Sequence, residues 1–231
     1  MIINYKHLKS DLKQIKREPV IFILYSAPFL LLIFILFGLH YLPPLMNEYF
    51  NLLDYTSYIL SGTLNLTNSL LGIATGFMMI DDKDGKIYEL MQITPLGSKG
   101  YLLNRLLIPG ILAIVYTLIF INSIHPLSSI QSVFLVIMCF TQSAMFSIAL
   151  FHLAEDQVRG LTYAKGLNIV IIFAFTKLIK NNFINLLALM IPTYWITEAI
   201  QFNTLYILTI ALLVHLLWLA IFFHSFTHKK S

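Results

Sequence analysis

Polar side chains are densest between Asp81 and Tyr101, where the chain reads Asp-Asp-Lys-Asp-Gly-Lys-Ile-Tyr-Glu-Leu-Met-Gln-Ile-Thr-Pro-Leu-Gly-Ser-Lys-Gly-Tyr. Gly85 breaks the acidic lead-in, and Ile87, Leu90, Met91 and Thr94 then recur at helical spacing, on one face, until Pro95 ends the turn. A short amphipathic helix of this kind either ties two longer elements together at a surface or docks in a partner's groove and passes on rigid-body motion. A second polar group falls on one stripe: Asn65, Asn68, Gly72 and Gly76, with Ser69 and Thr75 beside it. Gly72 and Gly76 form a small-xxx-small pair that lets helices approach closely. The stripe therefore lines a path or a contact between chains, or it serves packing within this one. Glu198 is the one acid close to apolar depth near the far end of the chain, and it is either a helix cap or a gate. Covalent chemistry finds no support. The sequence has no His-Glu-x-x-His, no Gly-x-Ser-x-Gly and no Gly-rich loop ending in Gly-Lys-Ser/Thr, so ATP hydrolysis and intramembrane hydrolysis are excluded. His40, His125, His152, His215 and His224 are dispersed and read as interfacial or packing residues, with no metal site among them.

The elements that must position these residues follow from composition. The chain is 58% hydrophobic and 11% charged, with a mean hydropathy of +0.79, whereas an ordinary soluble domain is about 25% charged. A bilayer core of about 30 Å takes about 20 apolar residues per helix, so 231 residues hold roughly six spans in one membrane domain. The reading is an all-α polytopic membrane protein with spans at 20–39, 56–80, 102–122, 129–153, 161–178 and 205–226. Residues 2–17 place Tyr5, Leu8, Leu12 and Ile15 at helical spacing among five Lys and Arg, which predicts an amphipathic helix lying on the membrane before Glu18-Pro19. The span that follows lacks a small-residue cleavage site and reads as a retained helix. In the segment 183–201, the stretch Phe183 to Ile191 is too short to cross and Pro192 stops it, which predicts a re-entrant segment on the extracellular side. The alternative joins it into a seventh span. Six spans with a cytoplasmic N-terminus put thirteen of the fifteen Lys and Arg on the cytoplasmic side, along with the C-terminus. Placed at span ends, the net charge of +4 meets anionic lipid headgroups, not nucleic acid. Cys139 lies in an apolar run and packs.

An acidic residue, Asp-Gly, Glu-Leu, Thr-Pro-Leu and Tyr-Leu leading to Arg105 resemble the loop after the second span of ABC-2 type permeases. Their usual pattern runs Glu-x-x-x-Gly-Thr-x-Glu-x-Leu-x-x-Thr-Pro. This chain agrees at Gly85, Glu89, Leu90, Thr94 and Pro95, has Lys86 where threonine is common, and has Asp81 or Asp82 where glutamate is usual. Arg17-Glu18-Pro19 with Pro28, Arg159-Gly160 with Lys165-Gly166, and Pro192-Thr193-Tyr194-Trp195 extend the similarity along most of the chain. Small bacterial drug-export permeases, fluoroquinolone-type ones among them, share this compact layout. The resemblance implies an exporter subunit of the bacterial plasma membrane, in which two permease chains, the same or homologous, form the path. Asn65, Asn68, Gly72 and Gly76 then line that path or the permease interface. Two copies of a separate ATPase subunit dock on 87–94 and on the Leu8 and Leu12 face of 2–16, and ATP and Mg are bound there, none by this chain. An ion-coupled transporter is disfavoured because the first four spans carry no Asp, Glu or Lys and only Arg105, at the start of the third. A membrane protein that confers immunity by sequestration remains the other alternative.

Overall fold

The structure is a computed structural model that describes residues 5–43, 51–179 and 181–228, with side chains from residue 9 to residue 226. Among these residues there is no β-strand. Helix α1, Tyr5–Arg17, runs into α2, Pro19–Tyr41, through an extended Glu18. Pro19 opens α2 because a first-turn residue needs no N–H. A 3-10 turn, Leu52–Tyr55, leads into α3, Thr56–Asp84; the short α4, Ile87–Gln92, then connects to α5, Gly97–Ile124. Helix α6, Ser129–Leu153, starts from a reciprocal cap. The Gln131 N–H donates to Ser128 Oγ at 3.3 Å and the Ser128 N–H donates to Gln131 Oε1 at 3.2 Å. Asp156 caps α7, Gln157–Ile169, by accepting the Arg159 N–H at 2.9 Å.

The fifth span does not stay α-helical. From Val170 to Ile179 it is a 3-10 helix, and 3-10 runs are usually shorter than this, since their hydrogen bonds are less well aligned than those of an α-helix. Two side chains of a later helix support it, as described below. Helices α8, Asn182–Ala188, and α9, Pro192–Gln201, meet at 104°. At about 1.5 Å per residue neither is long enough to cross a bilayer, and the bend prevents them from adding up. The last helix, α10, Leu205–His228, is long and apolar. Among the described residues six helices meet the length and composition of a span, and the chain is an all-α polytopic membrane protein.

Hydrogen bonds settle where the bent pair sits. Gln131, at the start of α6, donates to the carbonyls of Ala199 and Ile200 at 3.1 and 3.2 Å, and Ser128 donates to Asn203 at 3.2 Å. The fifth span reaches this same end of the bundle, and α10 departs from it. At the other end of α10, Phe226 packs against Tyr88 and Phe151, with ring centroids 6.0 and 5.5 Å apart. The pair thus leaves from and returns to one end, as a re-entrant hairpin must. The last helix finishes beside α4.

Helix α3 is the axis of the bundle and packs on α2, α5, α6, α7 and α9. Of its most apolar stretch, 89% is buried within the chain, against 17% for α10. A helix wrapped by other helices can carry polar groups at membrane depth because neighbours satisfy them. Helices α2 and α10 instead face outward with Phe29, Phe34, Leu213 and Leu217 exposed, as lipid-facing surfaces do.

Candidate functional site

The loop that joins α3 to α5 is shorter than the residues 81–101 expected from sequence, because α3 runs on to Asp84 and α5 starts at Gly97. Gly85 ends α3, its N–H bonded to the Asp81 carbonyl at 2.9 Å; the left-handed residue that turns the chain is Lys86, with φ of 57°. Gly97, at φ of 63°, turns it back. Between them α4 has two faces. Tyr88 points inward, edge-on to Tyr101 at 5.1 Å and to Phe151 at 5.3 Å, and Met91 packs into the same apolar cluster. Ile87 and Leu90 point outward with Ile93, which is 84% exposed. The single face expected for Ile87, Leu90, Met91 and Thr94 is therefore split. Leu90 and Met91 lie about 100° apart on a helix, and the Tyr88 contacts draw the Met91 side to the core. Thr94 closes the turn by donating to the Met91 carbonyl at 2.7 Å, while Glu89, Thr94 and Pro95 lie exposed beside the apolar face.

Beneath this helix lies a charge cluster that ties three elements together. Arg105 of α5 donates through Nε to Asp82 Oδ2 at 2.8 Å and through Nη2 to Asp82 Oδ1 at 2.5 Å, and Nη1 reaches Asp11 of α1 at 2.5 Å. The Tyr101 hydroxyl donates to the same Asp82 carboxylate at 2.6 Å. Asp11, Asp82 and Tyr101 are buried and the Arg105 side chain is 10% exposed. One planar guanidinium engages two carboxylates, a task suited to arginine's fixed fork of donors. Burial lifts the Asp11 carboxyl to about 6; the Arg105 charge pulls it down and the Asp82 charge adds to the rise. Asp81, one residue away, accepts from Gln157 of α7. A cleft of about 720 Å³ opens above the cluster between α1 and the loop.

Sequence reading did not pair Asp11 with Arg105. The signal was present, since Asp11 falls between Leu8 and Ile15 on the apolar stripe of a basic helix, where an unpaired acid would be costly. In the structure Asp11 and Ile15 are buried and Leu12 is 58% exposed. Leu8 lies in α1, its side chain outside the described residues.

The stripe of α3 faces inward. Asn68 donates to Gln142 Oε1 at 2.9 Å, Gln142 donates to Asn65 Oδ1 at 2.8 Å, and Asn65 donates to the Ser61 carbonyl at 2.9 Å. A Cβ on Gly72 would lie 2.6 Å from the Ser143 carbonyl of α6, and one on Gly76 would lie 2.9 Å from Leu150 Cβ. Within this chain the two glycines admit α6. At the opposite end Glu198 is paired with Lys177 of the 3-10 helix, and Thr193 and Thr197 of α9 donate to the Val170 and Ala174 carbonyls at 2.8 and 2.7 Å. An apolar groove of about 920 Å³ lies between α5, α6 and α10, with Leu107, Phe140 and Leu216 in its walls. Among the described residues no three His, Cys, Asp or Glu side chains gather as a metal site.

The chain is a bundle with six helices of span length in which α1 is clasped by Arg105 to α3 and α5, and its class is that of a transport permease. Over residues 11–223 the chain matches the family described as Rv2686c-like, fluoroquinolones export permease protein, and it belongs to that family. No curated protein and no solved structure matches it.

Proposed function

We propose that this chain is the membrane half-transporter of an ATP-driven ABC-2 type exporter, seated in a bacterial plasma membrane with both termini cytoplasmic. Two permease chains, the same or homologous, pair to form the path, and two copies of a separate ATPase subunit dock on α4 and α1. That subunit binds ATP and Mg, and this chain moves cargo. The family description names fluoroquinolones; that and the apolar groove support an amphipathic drug-like cargo.

One observation carries the reading: α4 shows Ile87, Leu90 and Ile93 to solvent while Tyr88 packs the same helix on α5, α6 and α10, and Arg105 of α5 ties that end of the bundle to α1 and α3. An apolar face on a rigidly mounted helix stub suits a partner's groove and hands motion to the spans directly. The test is a double substitution, Leu90→Asp with Ile93→Asp, neither of which touches the core. Two lost apolar anchors are expected to weaken binding by roughly tenfold or more. Co-purification of the Walker-containing subunit from native membranes and drug export should then both fall, with membrane insertion unchanged. Unaltered co-purification and export would refute the docking role. Recovery of the wild-type chain with no ATPase at all would point to an ion-coupled transporter or a sequestering immunity protein.

A further inference from the structure

The Lys177 ammonium occupies a built cation site at the end of the bundle away from α4. It is paired with the Glu198 carboxylate and lies 4.5 Å from the centre of the Phe202 ring and 6.0 Å from that of Tyr194. A carboxylate with aromatic faces beside it is the chemistry that recognises organic ammonium groups, and the attraction grows as water is excluded. The Glu198 side chain is 9% exposed and that of Lys177 is 28% exposed, so the acid is held in the wall while its cation lies nearer the surface.

The walls and the occupant come from different elements. Tyr194, Glu198 and Phe202 all belong to α9 and the residue that caps it. Helix α9 is fixed in place by Gln131 donating to Ala199 and Ile200, by the Ser61 and Thr197 hydroxyls 2.6 Å apart, and by Asn65 donating to the Thr193 carbonyl at 3.4 Å. The occupant hangs on a flexible four-carbon stem from a 3-10 helix, the less well bonded half of its span. The walls are therefore mounted to stay and the ammonium to leave.

We infer that Tyr194, Glu198 and Phe202 form a binding site for the ammonium group of an amine-bearing cargo, which Lys177 fills until that amine displaces it. The inference rests on the exporter reading and names its substrate class. Displacement leaves Lys177 free and exchanges one cation for another, so the buried carboxylate is never left unpaired, which would be costly.

The test uses the purified full-length protein and benzylammonium chloride, with benzyl alcohol as the neutral counterpart. Lys177→Met vacates the site, and benzylammonium should raise its thermal stability in a saturable way, with an apparent Kd about tenfold below that of wild type, where Lys177 competes. Lys177→Met combined with Glu198→Gln should lose the effect, and benzyl alcohol should have none on any variant. Lys177→Gln carries the same expectation should the methionine variant fail to insert. Equal responses from wild type, Lys177→Met and the double variant, or an equal response to benzyl alcohol, overturn the proposal. Binding is read without an ATPase, so a failure of docking at α4 leaves this test standing. Saturable binding with no export would count against the exporter reading alone.

Discussion

The two ends of the bundle solve the same problem in different ways. At each, an ion pair fastens a spanning helix to one that does not span. At the α4 end Arg105 engages two carboxylates on two helices, with Tyr101 as a fourth member, and both carboxylates are buried. At the α9 end a single lysine meets a single glutamate and is only partly covered. A multidentate cluster resists displacement of any one partner, whereas a monodentate ammonium on a flexible stem can be exchanged. The first arrangement suits an element that must transmit force without slipping. The second suits one that must release.

The largest effect is therefore expected at Arg105. Arg105→Leu leaves Asp82 and Asp11 buried without a cation, and losing one partner of a buried pair costs about 3–5 kcal/mol. Thermal unfolding in detergent should show this as a large fall in stability together with release of α1, read as proteolytic cleavage near Arg17. Replacing all three charges by apolar residues of similar size should restore much of the stability, because the buried charges go with their partner. A triple variant no more stable than Arg105→Leu would show that the cluster is not a closed unit.

Between the ends, α3 must be close-packed to keep them in register. Gly72→Ala tests that. Its new methyl would meet the Ser143 carbonyl, which is backbone and cannot rotate away. Overpacking of this kind costs about 1–3 kcal/mol, so stability should fall by less than for Arg105→Leu. Gly166→Ala, where a Cβ meets nothing within 4 Å, should change little. Equal losses at the two glycines would mean that α6 does not press on α3 as described.

How much of this could be read beforehand differs by element. The spans were legible because apolar runs of span length have one physical use, and the turn at Gly85 to Pro95 was legible because glycine and proline punctuate it. The re-entrant segment was readable from Pro192 and the short run before it. Contacts between distant residues were not. Nothing in the periodicity brings Asp11 to Arg105 or Lys177 to Glu198, since both depend on how helices cross. The split of α4 into two faces was hidden for a similar reason: the ring of Tyr88 finds Tyr101, Phe151 and Phe226 only once α5, α6 and α10 are assembled. The 3-10 half of the fifth span was also illegible, because Thr193 and Thr197 reach its carbonyls from more than twenty residues away.

The smallest effect concerns Asp11 of the Arg105 cluster. An acid whose folded pKa lies above its ordinary value holds its proton more tightly in the fold than in the unfolded chain. Burial sets Asp11 at about 6 against an ordinary value of 3.8. Its contribution to stability is thus full below about 4 and is lost as pH rises through about 6. Asp11→Asn removes the titration while keeping a polar oxygen for Arg105. Between pH 5 and pH 7 the wild-type melting temperature should decline relative to that of Asp11→Asn, and below pH 4 the two should run parallel. Lys177 and Glu198 lie at the other end and are unchanged in both proteins, so the difference reports the α1 clasp alone. Parallel curves from pH 5 to pH 7 would mean that Arg105 already holds Asp11 ionised throughout, which makes the α4 end more permanently charged than its burial implies.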